Sequence, residues 1–333
     1  MFVAPDAETF RRQFSVGLSR MLSPDGVGAF ILVLANSLQH QDLHAQLLPG
    51  LGEHFDALKA GGEGSDDDLG VFATLASEGM RDQQCWHHRR AGCWELVYNR
   101  MRRLRPERLS SKKFDAISQP FDARQFNFNR PFLEPEILWQ GEWRGRHFRV
   151  LYNKFPFAPW HLLIVPEADA GQPQHLNAET HTMLWELVSA QQHSMPGFGI
   201  GYNSLGAGAS VNHLHFQGFV RSEPLPVESR HWRHHDGEEP YPLECHVVDS
   251  AEQAGEMIEQ FQRQHQPFNL LYRPGLCYLL PREPQGVAAA ERWARGIAWY
   301  ECSGVFTLDD KALLNSLTQQ RIFRQLALFA HKT

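Results

Sequence analysis

The clearest pattern of polar and apolar positions is His213-Leu214-His215-Phe216-Gln217, where polar side chains occupy every second place. Strict alternation marks a half-buried strand, so the spacing predicts one over 213–220 with His213, His215 and Gln217 on one face. Gly206-Ala207-Gly208-Ala209-Ser210 precedes it and predicts a hairpin-like turn from a strand at 198–202. A different period rules the first hundred residues: Phe10, Phe14, Leu18 and Leu22 recur every four, the spacing of one helix face. Residues 1 to about 100 therefore read as mostly helical, with Gly61 to Asp68 as a flexible acidic loop.

From about 114 the pattern turns to strands, at 147–153 and 161–165, around a loop from Lys154 to Pro159 that two prolines stiffen. Phe126 and Phe128 alternate as core positions of a strand, and Asn127 between them is a weak candidate for reading a base edge. Asn177 is placed to cap a helix whose stripe is Met183, Leu184, Leu187 and Val188. Further helices are expected around Ala254, Met257, Ile258 and Phe261, and from Asp309 to Phe329.

A faint repeat aligns Phe148–Tyr152 with Phe268–Tyr272 and Leu162–Glu167 with Leu279–Glu283. The predicted class is α+β: two related antiparallel-sheet halves with packed helices, plus a mainly helical N-terminal extension. The expected organisation is a helical region at 1–110, a catalytic half at 111–225 and a degenerate second half at 226–333.

Composition narrows the function classes. The 333 residues are 42% hydrophobic and 21% charged, with 32 basic against 38 acidic side chains and a net charge of −6. No broad basic field is present to grip a nucleic acid, whereas a small anion needs only a local positive site. Arg100 to Lys113 is rich in arginine and lysine and reads as a solvated linker or helix face. Five irregularly spaced cysteines suit a reducing compartment, and no stretch suits a signal peptide or a membrane span, so a cytoplasmic protein is expected. Cys85, His87 and Cys93 fit no common zinc knuckle. The His231–Asp236 segment reads as an exposed polar loop. No cofactor and no metal are expected.

The histidine pair admits three readings. A neutral imidazole attacks phosphorus when one ring nitrogen is free and the other is held as N–H, and the glycine-rich backbone can approach a phosphate closely. Gln217, being neutral, can donate to an intermediate without competing as a base. Two alternate histidines can also share a metal, although a cupin-type site expects an acid three or four residues on, and here the next is Glu223. A purely structural pair is the third reading.

Together these residues resemble the histidine-triad superfamily, in the branch where glutamine replaces the last histidine, with galactose-1-phosphate uridylyltransferase and diadenosine tetraphosphate phosphorylase. The nearest likeness is to the GDP-L-galactose/GDP-D-glucose phosphorylases, from Asn203-Ser204-Leu205-Gly206 through Gln217. Gln119-Pro120-Phe121-Asp122, Phe126-Asn127-Phe128, Pro226-Val227-Glu228 and Ala298–Gly304 agree in order, so the likeness spans about 110 to 305. The resemblance implies His215 as nucleophile, His213 as its support and Gln217 as stabiliser of a nucleotidyl intermediate. It implies substrate contacts from Asn203, Ser204, Gly206, Ser210, His161, Asn153 and Lys154, with Trp160 where glycine is more usual. Lys154 matches the diadenosine-polyphosphate branch better. The implied partners are a nucleotide or nucleotide sugar and phosphate, and a homodimer is left open. The implied reaction is phosphorolysis of a GDP-hexose, with diadenosine polyphosphate phosphorolysis or hexose-1-phosphate nucleotidylyl transfer as alternatives. A metal-dependent β-barrel enzyme and a non-catalytic nucleotide-binding protein are the further alternatives.

Overall fold

A computed structural model describes residues 2–22, 26–80, 87–105 and 116–331 of the protein. Its N-terminal layer is α1 (Ala7–Met21), α2 (Val27–Ser37), α3 (Gln41–Ala60) and α4 (Asp66–Glu78). Asp6 caps α1 by accepting from the Thr9 N–H, and Phe10, Phe14 and Leu18 are buried along one face. The acidic run is no free loop: Ser65 caps α4, and Asp66, Asp67 and Asp68 form its first turn, where the helix dipole favours negative charge.

Strands β1 (His88–Ala91) and β2 (Trp94–Tyr98) follow, then β3 (Ile137–Trp143), β4 (Arg146–Tyr152), β5 (Leu162–Pro166), α5 (Ala178–Ala190), β6 (Phe198–Asn203) and β7 (Phe216–Val220). The remainder is β8 (His246–Val248), α6 (Ala251–Arg263), β9 (Phe268–Arg273), β10 (Leu276–Pro281), α7 (Trp299–Cys302), β11 (Val305–Leu308), α8 (Lys311–Ser316) and α9 (Gln319–Ala327). Eight strands form one antiparallel sheet in the order β3-β4-β5-β7-β6-β9-β10-β8.

Read outward from the β6–β9 junction, both sides of this sheet repeat a β-α-β-β unit. The units are β5-α5-β6-β7 and β8-α6-β9-β10, and each places its last two strands as a hairpin inside its first. The two halves are thus related, but in a different register from the one expected. Phe268–Arg273 stands opposite Phe198–Asn203, whereas Phe148–Tyr152 lies further out on β4. Short apolar strands look alike, so similarity of five residues does not say which pair shares a place.

Several local expectations are corrected. The strand after the glycine turn begins at Phe216, so His213 and His215 sit in its entering loop. Residues 126–128 form no strand. Residues 88–98 form a hairpin rather than helix, and β11 joins it in parallel from the far end of the chain. The last helix is two, because Thr318 caps α9 while Leu317 is extended. Arg89 donates to the Leu314 and Leu317 carbonyls and satisfies the end of α8. The His231–Asp236 segment is anchored by Trp232, 1% exposed and stacked on Trp94.

Helices and sheet bury one large core through residues such as Leu162, Ile164, Leu214, Phe216 and Leu270. The opposite face carries two smaller clusters. Phe128, Leu133, Leu151 and Val165 form one, and Phe157, Phe219, Leu271 and Trp299 form the other. Gln217, two residues before Phe219 and paired with Leu163, projects from that face between them. No described helix is long and apolar enough to cross a membrane.

Candidate active site

The loop from 204 to 215 carries the histidines into the gap between those clusters. Gly206 and Gly208 have φ of +80° and +105°, conformations that side chains rarely adopt, and a Cβ at Gly208 would come within 2.9 Å of Ala298. The second half holds this turn in place. Asn269 on β9 donates to the Ala207 carbonyl at 2.7 Å, and the Gln285 N–H donates to the Gly206 carbonyl at 2.7 Å.

His213 spends both ring nitrogens inside the protein. Its Nδ1 accepts from the Phe128 N–H at 3.0 Å, and its Nε2 donates to the Ala168 carbonyl at 3.0 Å. A metal therefore has no lone pair left on this ring, which removes the shared-metal reading of the pair. Burial, ahead of the Arg149 charge, lowers its pKa to about 4. Among the described residues no three His, Cys, Asp or Glu side chains converge as a metal site. Cys85 lies outside the described residues; Cys93 sits in the β1–β2 turn, and His87 precedes β1 at the other end of the hairpin.

The His213 carbonyl accepts from His215 Nδ1 at 2.8 Å. A carbonyl can only accept, so Nδ1 carries the hydrogen and Nε2 keeps its lone pair. Burial lowers the His215 pKa to about 4, which leaves the ring neutral at ordinary pH. Gln174 brackets this residue: its Oε1 accepts from the His215 N–H at 2.9 Å, and its Nε2 donates to the His215 and Asn203 carbonyls. Nothing in the local pattern around Gln174 marks it out; its part comes from the turn after β5 crossing the histidine loop.

Gln217 is oriented from the second half as well. The Trp299 indole donates to Gln217 Oε1 at 2.7 Å, which aims the amide NH2 group the other way. A Cβ at Gly201 would collide with that indole, so glycine lets Trp299 lie flat on the sheet. His161 is fully buried and also hydrogen-bonds Gln217. Its Nδ1 accepts from the Phe157 N–H at 3.2 Å, and Asn153 Nδ2 lies 3.3 Å from its Nε2. Burial first, then the Arg102 charge, brings its pKa down to about 3.

Other expected contacts are placed differently. Lys154 forms an ion pair with Asp68 of α4 at 2.6 Å. Ser204 Oγ accepts from the Phe268 N–H and donates to the Leu205 carbonyl, so its hydroxyl is used inside the turn. Asn203 Oδ1 accepts from Asn269 Nδ2 and the Trp299 N–H. Asn127 is 4% exposed and its amide closes its own loop, with no edge left to read a base. Phe128 packs on the His215 ring at 5.0 Å, while Phe126 and Phe132 beside it are 44% and 65% exposed. Ser210 accepts from Arg105, and Arg102 lies over the Phe157 ring, so part of the arginine-rich stretch faces the site rather than open solvent. Arg108, Lys112 and Lys113 of that stretch lie outside the described residues.

Trp160 has φ of +52°, a left-handed conformation that glycine adopts more readily than any side-chain-bearing residue. The N-terminal layer stabilises the strained turn. His40 stacks on the indole at 4.0 Å, Phe10 and Phe14 meet its edge, and the Trp160 N–H donates to His40 Nε2.

Residues 93–219 match the family described as GDPGP1-like, N-terminal domain. GDP-D-glucose phosphorylase 1 of Macaca fascicularis is 37% identical over 137 residues, 38% of this chain and 33% of that protein. GDP-L-galactose phosphorylase 1 of Arabidopsis thaliana is 32% identical over 133 residues, 35% of this chain and 29% of that one. The chain thus spans about a third of the length of these phosphorylases. A HIT-like protein of Chlamydia muridarum is 38% identical over 90 residues, 25% of this chain and 71% of its own length. The fold is similar to that of yeast Ap4A phosphorylase Apa2 solved with AMP, with a TM-score of 0.51 at 14% identity over 79% of this chain and 96% of that one. The chain belongs to the HIT-like, histidine-triad superfamily, and its residues 93–219 resemble the N-terminal domain of the GDPGP1-like branch.

Proposed function

We propose that this chain is a nucleotidyltransferase of the phosphorylase type, acting on a GDP-hexose through a nucleotidyl-His215 intermediate with inorganic phosphate as acceptor. One observation carries the reading: the His213 carbonyl holds His215 Nδ1 as N–H, so Nε2 faces the site with a free lone pair. Nε2 attacks the α-phosphorus, the bond to the β-phosphate oxygen breaks, and hexose 1-phosphate leaves with the electron pair. Phosphate then attacks the same phosphorus, the P–N bond breaks, and the nucleoside diphosphate departs while Nε2 regains its pair. The leaving group is already a good one, so positioning and stabilisation of the equatorial oxygens do most of the catalysis. Gln217, its oxygen held by Trp299, has the NH2 group to donate to those oxygens. His161 and Ser210 border the same gap, with the Phe157 N–H orienting His161 and Asn203 bracing the turn. The names of the relatives, GDP-D-glucose and GDP-L-galactose phosphorylase, support a GDP-hexose as donor.

Lys154, which favoured a diadenosine polyphosphate donor, is paired with Asp68 and gives that alternative no support. The four described cysteines are all free thiols, in keeping with a cytoplasmic setting. The test is incubation with GDP-glucose, GDP-mannose and diadenosine tetraphosphate, each with and without phosphate. GDP-hexose turnover that needs phosphate is expected, with a mass increment of one GMP on the wild-type chain and none on His215→Ala. Near-normal turnover by His215→Ala overturns the assignment.

A further inference from the structure

We propose that the N-terminal helical layer belongs to the catalytic apparatus, with Asn36 and His40 as positioning residues that hold the 153–161 loop so that His161 aims the Gln217 amide. The inference rests on the part given to Gln217 in the phosphorolysis reading above. The loop closes on itself, because the Asn153 N–H donates to the His161 carbonyl at 3.4 Å, and its two ends lie side by side. One side chain of the layer grips each end. Asn36 of α2 donates to the Asn153 carbonyl at 2.8 Å and to the Leu32 carbonyl at 2.9 Å, which together fix the direction of its amide. His40, just before α3, accepts the Trp160 N–H on Nε2 at 3.2 Å and stacks on the indole at 4.0 Å.

The two grips are complementary, a donor for a carbonyl and an acceptor for an N–H. Burial first, then the Arg11 charge, lowers the His40 pKa to about 4, so the ring is neutral and Nε2 stays an acceptor at ordinary pH. Trp160 needs that hold. Its φ of +52° is unfavourable for a residue with a Cβ, and such a backbone persists only where its surroundings over-determine it. His161 is the next residue, so the peptide that His40 fixes sets where the imidazole begins. The layer also holds the strand that enters the loop, through the Tyr152 hydroxyl donating to the Phe14 carbonyl at 2.9 Å. From the other side, Asn99 Nδ2 donates to the Pro156 carbonyl at 2.8 Å, so the loop is held at its tip as well as at its base.

The effect reaches the amide through one hydrogen. His161 Nδ1 accepts from the Phe157 N–H, so Nε2 carries the hydrogen and donates. It bonds Gln217, whose side chain has a single acceptor, Oε1, the atom that also takes the Trp299 indole N–H. Two donors thus converge on one oxygen, one placed by the N-terminal layer and the other by the second half. Together they leave the NH2 group one direction in which to point, toward the gap where the equatorial oxygens would lie.

The experiment follows adduct formation from GDP-glucose by mass in His40→Phe, which keeps an aromatic stack and loses the acceptor. The rate should fall about tenfold, while GDP-glucose affinity, measured with His215→Ala added, stays within about twofold. His40→Gln, which restores an acceptor at the reach of Nε2, should recover most of that loss. The decisive arm is Gln217→Ala: with the amide gone, adding His40→Phe should slow the reaction no further, because groups that act as one unit are not additive. A second loss of the same size there would make His40 merely structural and overturns the inference, as does a wild-type rate in His40→Phe. Asn36→Ala is the second variant and should show the same pattern; thermal melting checks the fold of both. Hydrogen exchange reads the loop without any reaction. Peptides covering 153–161 should exchange faster in both variants while those of β9 and β10 keep their protection, and unchanged exchange of the loop overturns the inference. Failure of the wild type to form any adduct would instead sink the phosphorolysis reading and leave hydrogen exchange to decide whether the layer holds the loop.

Discussion

Two hairpins meet at the centre of the sheet, β6–β7 and β9–β10, in equivalent positions of the two related halves. The first is closed by residues 204–215 and carries both histidines; the second turns in two residues, Pro274 and Gly275, with Gly275 at φ +72°. A two-residue turn has no chain to spare for a site, whereas the longer loop folds back on its strands. The short hairpin still serves the long one. Asn269 of β9 braces the Ala207 carbonyl and Asn203, and the stretch after β10 delivers Trp299 to Gln217. One half thus carries the two histidines and Gln217, and the other carries side chains that brace their loop and the Gln217 amide.

Breaking the supports tests that division. Asn269→Ala removes a buried bond to the loop and leaves Asn203 Oδ1 with one donor fewer. We expect about 1–3 kcal/mol less stability in denaturant unfolding, with weaker adduct formation than the wild type. Unchanged adduct formation would show that the loop holds its own shape and that the second half is mere packing.

Trp299→Phe keeps most of the packing but deletes the N–H that aims the Gln217 amide. Adduct formation should fall by roughly tenfold, about 1.4 kcal/mol in the barrier, without a matching rise in the KM for nucleotide sugar. A change in KM alone would assign Trp299 to binding.

The pH dependence probes the histidines of the first half on a finer scale. His161, His213 and His215 have folded pKa values lowered to about 3, 4 and 4, below the unfolded value near 6.5. Between those limits the unfolded chain binds more protons, so stability present above about pH 6.5 is lost as pH falls toward 4. Replacing His213 by Asn should flatten part of that loss in unfolding curves taken across the range. Adduct formation itself should hold level down to about pH 5 and drop as His215 Nε2 protonates.

The smallest effect is expected at Lys154, which marks the boundary between the N-terminal layer and the site. Lys154→Met breaks a partly exposed ion pair with Asp68 and should cost about 1 kcal/mol or less, with KM for the nucleotide sugar unchanged. A severalfold rise in KM would return Lys154 to the substrate.

Much of this division was legible in the chain, though unevenly. Asn177 and the apolar stripes of α1 and α5 are local devices, read within one turn of helix, and they hold. The alternation at 213–217 is equally local but misleads about its first three residues. His213, Leu214 and His215 alternate like strand positions, yet the Leu214 N–H donates to the Gln172 carbonyl, the His215 N–H to the Gln174 side chain, and the His213 carbonyl accepts from the His215 ring rather than from a neighbouring strand. The β1–β2 hairpin escaped because its third strand comes from residues 305–308, some two hundred positions away. Arg102 and Arg105 looked like solvated surface because a charge run carries no sign of what will cover it.

The sequence by itself determined which chemical groups are at hand: two imidazoles and an amide at alternate positions, a glycine-rich turn before them, and two halves of mixed α and β character. Only the tertiary structure decided what state those groups are in. The His215 tautomer depends on the His213 carbonyl, the Gln217 orientation on an indole 82 residues later, and the environment of His161 on Arg102 from before the sheet. Residue type and period are properties of neighbours along the chain, whereas protonation and aim are set by partners that meet only when the chain closes on itself.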